Sequence, residues 1–283
     1  MRKKLPLWLK KDIIDTEKTG FVRKVLRNSG LNTVCDEARC PNKGECYANN
    51  TATFMIMGKN CSRNCKFCSV NFALPEKINS EEPSLIAEAV KKLGLCYAVV
   101  TSVTRDDLQD GGATHFAQTI CEIKTLNPKT KVEVLTPDFK GNEKLIDIVI
   151  EAKPDVFNHN IETVKRIFPT ARPQGSYERS LKFLEYIKQT SPKIPVKSGF
   201  MMGLGESFEE ARELLRELKD VGCDIVTVGQ YIQSSRRNLE VERYLEPTEF
   251  EKIKEEAFKI GIKRVIAAPL ARSSYKAHEI YVQ

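Results

Sequence analysis

Cys61-Ser-Arg-Asn-Cys65-Lys-Phe67-Cys68 sets three thiols apart by gaps of three and two residues, directly after the apolar run Thr51-Ala-Thr-Phe-Met-Ile-Met57. The run is β-rich and reads as a strand, so the thiols sit on the loop that leaves its carboxyl end. Thiolates this close suit a soft metal or an iron-sulfur cage, and three ligands instead of four leave one metal position to something outside the protein. A structural zinc knuckle is the alternative. Such sites usually close with a fourth Cys or His at short range, and none lies between Cys68 and Cys96.

Further along, β-rich apolar runs at 96–103, 131–136, 156–159, 196–202, 225–229 and 264–268 alternate with amphipathic helical stretches. Ser207-Phe-Glu-Glu210 is a capping box leading into Leu214, Leu215, Leu218 and Val221 and stopping at Gly222. A second helix is predicted over 248–260, ending at Gly261, with Pro247 just ahead of its N-cap. Strict alternation implies parallel strands with right-handed crossovers, an α/β architecture of six or seven units. That is fewer than a closed eight-unit barrel needs, and periodicity alone leaves an open barrel and a doubly wound sheet both standing.

The chain has 283 residues, nine cysteines and a net charge of +7. Residues 1–30 hold nine Lys and Arg against three Asp and Glu, so most of the excess lies there. This arm, with a short helix near Phe21–Leu26 closed by Asn28-Ser-Gly30, could be a solvated tail, a surface for an acidic protein, or a nucleic-acid contact. Aromatics are not interleaved with its basic residues as in single-strand binders. No apolar run approaches membrane-spanning length and the start lacks a secretory apolar region, so the expected compartment is the cytoplasm, where clustered cysteines more often bind metal than pair.

A second thiol group precedes the first: Cys35-Asp-Glu-Ala-Arg39-Cys40-Pro-Asn-Lys-Gly44-Glu-Cys46, with gaps of four and five. Pro41 and Gly44 force irregular backbone there, as around an inorganic cluster; pooling both triplets for zinc is the competing reading. Several loops after strands carry unusual residues. Arg105-Asp106-Asp107-Leu-Gln-Asp110-Gly111-Gly112 exposes backbone able to grip a zwitterion, or is a turn capping the next helix. Asn160 and Glu162, two apart on one expected strand face, are polar where a buried strand should be apolar. Arg172 and Met202-Gly203-Leu-Gly205-Glu206 complete the candidates, Gly205 being equally explained by the turn before Ser207. Cys96, Cys121 and Cys223 stand alone and are expected to pack. His115, His159 and His278 are too scattered for a hydrolytic site; His159 lines a pocket or is structural.

The C-x3-C-x2-C spacing with Phe67 before its last Cys resembles the signature of the radical S-adenosylmethionine enzymes. Their fold implies a partial (β/α)6 barrel here over 51–262, with an amino-terminal cluster-binding extension at 1–50 and a carboxyl-terminal tail at 263–283. The Cys35, Cys40, Cys46 triplet upstream, Trp8-Leu-Lys10, the Arg105-Asp106-Asp107 loop and the tail Arg272-Ser273-Ser274-Tyr275 are together similar to the lipoyl synthases over nearly the whole chain. Lys276 departs from that pattern, where many relatives have His.

The resemblance implies two [4Fe-4S] clusters. One, on Cys61, Cys65 and Cys68, would reduce S-adenosylmethionine to methionine and a 5′-deoxyadenosyl radical. The other, on Cys35, Cys40, Cys46 and Ser274, with Ser273 the runner-up, would give up sulfur for C6 and C8 of an octanoyl chain on a carrier lysine, consuming two S-adenosylmethionine molecules. Phe67, Gly111, Gly112, Asn160, Glu162, Arg172, Gly203 and Glu206 are the implied S-adenosylmethionine contacts, and no side chain is assigned as acid or base. The implied partners are acidic octanoylated lipoyl carrier domains and a low-potential reductant such as ferredoxin or flavodoxin, with no nucleic acid and no membrane. Another radical enzyme would share the first triplet without the tail. An iron-sulfur electron carrier would need neither barrel nor vacant iron.

Overall fold

The computed structural model describes residues 4–11, 14, 16–38, 40–48 and 52–282. Its strands among these residues are β1 (Thr53–Ile56), β2 (Asn60–Cys61), β3 (Asn71–Phe72), β4 (Tyr97–Ser102), β5 (Lys131–Leu135), β6 (Val156–Asn158), β7 (Val196–Met202), β8 (Ile225–Gln230) and β9 (Arg264–Ala268). Seven form one parallel sheet in the order β1-β4-β5-β6-β7-β8-β9, while β2 and β3 pair separately beside the first cysteine loop. The order follows the chain without reversal. A doubly wound sheet reverses at its switch point, so this topology belongs to the barrel class. Seven strands are one more than the six of the expected barrel.

The chain divides into two compact units, one of Asp12–Arg63 and Val70–Phe157, the other of Met1–Lys11, Asn64–Ser69 and Asn158–Gln283. In the first, all four residues of β1 are buried, as expected of a parallel strand covered on both faces. The helix Glu82–Leu93 buries Ile86, Val90 and Leu93 on one face and ends at Gly94, whose φ of 62° is the left-handed turn that stops a helix. In the second unit the predicted capping box is present: Ser207 and Glu210 exchange hydrogen bonds, and Leu214, Leu215 and Leu218 of Phe208–Asp220 are buried.

Three local expectations change. Pro247 is not ahead of its cap but inside Pro247–Ile260, in the first turn, where its missing N–H costs nothing; Glu246 is the N-cap. The amino-terminal helix spans Glu17–Asn28, starting earlier because Thr16 and Thr19 exchange the capping bonds. Asn160 and Glu162 do not share a strand face. β6 stops at Asn158, and Glu162 has a φ of 74°, which breaks the two-residue alternation.

The start of the predicted first strand, Thr51, lies outside the described residues, as do Arg39 and Lys3. The arm is not wholly a solvated tail: Leu9 is buried and the Trp8 indole donates to the Leu245 carbonyl at 3.2 Å. No described helix is long and apolar enough to cross a membrane.

Candidate metal and cofactor sites

Within the first unit, Cys61 ends β2, and its sulfur accepts the backbone N–H of Arg63 at 3.4 Å and of Thr104 at 3.3 Å. Ser62 stitches the same loop to the end of β4: its hydroxyl donates to the Thr104 carbonyl at 2.9 Å and accepts from the Asp106 N–H at 3.0 Å. Arg63 then turns inward. Its guanidinium forks onto Asp106 at 2.7 and 2.9 Å and reaches the buried Asp138 at 2.8 Å. Burial opposes the charge, but the hydrogen bonds and charges of Asp106 and Asp138 outweigh it and hold Arg63 above its ordinary pKa.

Met57, between β1 and the cysteine loop, has a φ of 66° and is gripped on both sides of its backbone. Its N–H donates to Glu82 at 2.8 Å, its carbonyl accepts from Arg105 at 3.2 Å, and Glu82 is shared with His115 at 2.7 Å. Gly112 leaves room for the Met57 side chain, since a Cβ there would lie 2.3 Å from its sulfur.

The charged side chains of the 105–112 loop are engaged within the protein. Arg105 pairs with Asp107, Asp106 with Arg63, and Asp110 accepts from the Gly112 and Thr114 amides at the start of Ala113–Leu126. Burial opposes ionisation of Asp110, but those bonds outweigh it and hold its pKa down. Gly111 and Gly112 take φ values of 57° and 89°, and Gly112 is the N-cap, which is the helix-capping alternative.

Cys35 and Cys46 of the second triplet lie on two short helices of the same unit, Val34–Glu37 and Lys43–Ala48, with Cys40 between them. They are tied through the neighbours of the cysteines. Tyr47 donates to Asp36 at 2.8 Å and lies 3.1 Å from the Thr33 hydroxyl, which also donates to Asp36, while Lys43 pairs with Asp36 at 3.0 Å. Burial, with lesser contributions from nearby Cys40 and Cys46, pushes the Cys35 thiol up to about 12.

In the other unit the Cys65–Cys68 turn is strapped down on both sides: the Lys66 amide donates to the Ala171 carbonyl at 2.8 Å, and the Asn238 amide group to the Cys68 carbonyl at 2.7 Å. Phe67 is half-buried in this turn. Glu206 folds back on its own loop, accepting from the Gly203 and Leu204 amides, both at 2.8 Å, and from Thr163 at 3.1 Å. Gly203, with a φ of 112°, has no room for a Cβ beside Gln230.

Arg172 donates to the Asn160 carbonyl at 3.2 Å. Burial raises the Glu162 pKa, against the pull of Arg172 and a hydrogen bond from Asn160. Asn160 donates through its side-chain nitrogen to Ser273 at 2.7 Å, whereas its side-chain oxygen, Oδ1, is buried without a hydrogen-bond partner, as is the Thr227 hydroxyl. Both border Gly199, whose absent Cβ would lie 3.1 Å from that Asn160 oxygen. Unsatisfied acceptors beside a glycine gap fit a polar ligand such as a nucleoside.

The Radical SAM superfamily model matches residues 55–218. A lipoyl synthase of Caldicellulosiruptor saccharolyticus is 53% identical over 99% of this chain and 98% of its own length. The chain belongs to the lipoyl synthase family. Another lipoyl synthase, from Caldanaerobacter subterraneus subsp. tengcongensis, is 52% identical over 96% of this chain and 95% of its own. The solved structure of methylornithine synthase (PylB) matches with a TM-score of 0.53 over 89% of this chain and 82% of that one; at 16% identity this bears on the fold alone. As a member of the lipoyl synthase family the chain is a sulfurtransferase that uses S-adenosylmethionine and two [4Fe-4S] clusters.

Among the described residues no three His, Cys, Asp or Glu side chains already converge as an ion would need. The donor chemistry nevertheless fits the clusters. Cys61 receives two amides of the kind that stabilise a thiolate, and Cys35 is a buried thiol whose proton a metal would displace.

Of the lone thiols, Cys223 packs as expected, but Cys96 and Cys121 are exposed because they fall on outward-facing positions. His159 is buried, 3.2 Å from Ser180 and tilted against the Phe183 ring, as a structural histidine would be. The motif reading missed Arg63 and Tyr47, whose partners are set by the fold, and Lys197. For Lys197 one signal existed: a lysine inside a mostly apolar central strand.

Proposed function

We propose that this chain inserts two sulfur atoms, at C6 and C8, into an octanoyl group carried on the lysine of a lipoyl carrier domain. Cys61, Cys65 and Cys68 would hold the cluster that binds S-adenosylmethionine; Cys35, Cys40, Cys46 and Ser274 would hold the auxiliary cluster. The observation that carries the reading is one chain holding both triplets and the Ser273-Ser274 tail, alike over nearly its full length to lipoyl synthases. When bound, these cofactors supply what no side chain can for unactivated carbons: an electron, hydrogen-atom removal and sulfur.

The protein's part is placement. Residues 1–50 would carry the auxiliary thiols, 51–262 the S-adenosylmethionine site and 263–283 the serine. Ser273 is engaged by Asn160, which favours Ser274 as the ligand. Phe67, Gly111, Gly112, Asn160, Glu162, Arg172, Gly203 and Glu206 remain the proposed S-adenosylmethionine surroundings. The unpaired oxygens near Gly199 support Asn160 most directly, while the engaged Glu206 would act through the backbone it holds. The exposed Lys4 and Lys10 suit an acidic carrier, and reduced thiols and a ferredoxin- or flavodoxin-like reductant suit the cytoplasm.

The test is anaerobic incubation of reconstituted protein with an octanoyl-lysine peptide, S-adenosylmethionine and reductant, read by mass spectrometry. Changing Cys61, Cys65 and Cys68 to Ala should abolish deoxyadenosine. Changing Cys35, Cys40 and Cys46 to Ala should leave deoxyadenosine but no thiolated peptide. Deoxyadenosine without thiolated peptide from the unaltered protein would overturn the reading.

A further inference from the structure

We infer that Lys197, Asn160 and the bare backbone of Gly229 form a clamp on the carboxyl-terminal tail, which makes Lys197 a positioning residue for Ser274. The inference rests on the reading of Ser274 as a cluster ligand. After β9 the chain folds into successive tight turns: the Ala271 amide donates to Ala268 at 3.0 Å and the Tyr275 amide to Arg272 at 2.9 Å. A terminal segment of this kind frays unless it is tied down. Both oxygens of Ser273 are tied: the hydroxyl accepts from Asn160 at 2.7 Å and the carbonyl from Lys197 Nζ at 2.6 Å.

Lys197 is only 1% exposed and follows Val196 in β7, where packing alone would call for another apolar residue. Burying an amine costs free energy unless it bonds, so its place is explained by what it holds. Gly229 supplies a third fixing point. It pairs in register with Met201, on the same face of β7 as Lys197 and Gly199, and a Cβ there would lie 2.2 Å from the Ala271 carbonyl oxygen. The tail backbone thus rests directly on β8. With its neighbour held at two atoms, Ser274 is presented from a fixed turn, so a cluster gains a fourth ligand without first ordering the tail.

The test compares Lys197→Met, which keeps the stem but removes the amine, with Gly229→Ala, which pushes the tail from the other strand. Both are prepared as anaerobic holoenzyme. Amide exchange over residues 270–277 should quicken in each, by about tenfold in Lys197→Met as expected for one lost hydrogen bond, while the helix Phe208–Asp220 keeps its protection. In the Mössbauer spectrum of iron-57 protein, after subtraction of the spectrum of the Cys35, Cys40, Cys46 alanine variant, both should move toward that of Ser274→Ala. Unchanged exchange in both variants, equal quickening in Phe208–Asp220, or quickened exchange with an unaltered spectrum would each overturn the clamp. A Ser274→Ala spectrum identical to that of the unaltered protein would instead overturn the ligand reading, and the exchange data would still decide the clamp.

Discussion

Replacing Arg63 by Met should loosen the loop between Cys61 and Cys65 more than any other single change outside the thiols. The guanidinium makes two contacts to Asp106, whose side chain is 26% exposed, and one at 2.8 Å to Asp138, which is fully buried. The Asp106 pair borders solvent and is worth about 1 kcal/mol or less. Stranding buried Asp138 is the larger loss, about 3–5 kcal/mol, because its carboxylate stays desolvated after losing its Arg63 charge partner, with the Lys140 amide at 3.2 Å still donating to it. At 1.4 kcal/mol per factor of ten, local opening of the loop rises roughly 10²- to 10³-fold or more. The assay is iron release to a chelator under anaerobic conditions, with Cys35, Cys40 and Cys46 changed to Ala so that only the first site is loaded. Arg63→Lys, which keeps charge but not the fork, should fall between. Release from Arg63→Met within twofold of the parent would refute the assignment of Arg63 as the anchor of this loop.

Tyr47→Phe removes the hydroxyl that joins Asp36 and Thr33, so the protein should lose about 1–2 kcal/mol in anaerobic urea unfolding. Iron uptake by the second triplet should slow while the first is unaffected; equal slowing at both would point to general damage. Reversing Lys4 and Lys10 to Glu should weaken use of a whole carrier domain more than use of a short octanoyl-lysine peptide, with salt narrowing the gap. Lys11 is better left intact, since it lies 5.1 Å over the Tyr275 ring, and equal effects on both substrates would remove the docking role. The hydrogen bonds from Arg166 hold Glu210 down from the ordinary 4.5 to about 2. A depressed carboxylate stabilises the fold above pH 4.5 and loses that contribution as pH falls toward 2. Screening limits it to about 1 kcal/mol, and Glu210→Gln should flatten that stretch of the stability curve; an unchanged slope would show that the pair contributes nothing.

How much of this was legible depends on the range of the interaction. The seven strands of the main sheet were legible because their burial leaves largely apolar, β-rich runs, and the Ser207–Glu210 cap because all its partners lie within four residues; the two-residue β2 and β3 were too short to read. The Thr16–Thr19 cap was missed because a threonine occupies the place where the pattern looks for Glu or Gln. Asn160 and Glu162 were paired on a face by assuming extended backbone, and a single left-handed φ at Glu162 undoes that inference. Lys197 and Arg63 fall inside stretches whose type was read correctly, but their partners, Ser273 and Asp138, are 76 and 75 positions away, so nothing local announces them.

The unread residues share a logic. Cys35 and Cys46 are tied through Asp36 and Tyr47, the loop of Cys61 through Arg63, and Ser274 through Ser273. In each case the anchor is a sequence neighbour of the proposed ligand, or lies within two residues of it. Iron takes up lone pairs of the ligand atom, so beyond the two amides on Cys61 most of the restraint falls on neighbouring residues. Moving the restraint one or two residues aside leaves the donor available and keeps the loop near its bound geometry when metal is absent. A buried polar tie stabilises only when its partners are satisfied, and the buried Thr33 and Tyr47 hydroxyls meet that condition with the exposed Asp36 and its partner Lys43, through four mutual contacts between 2.8 and 3.1 Å. An auxiliary cluster that gives up sulfur has to be rebuilt after each turnover, and thiols held this way could receive a new one without refolding the segment around them.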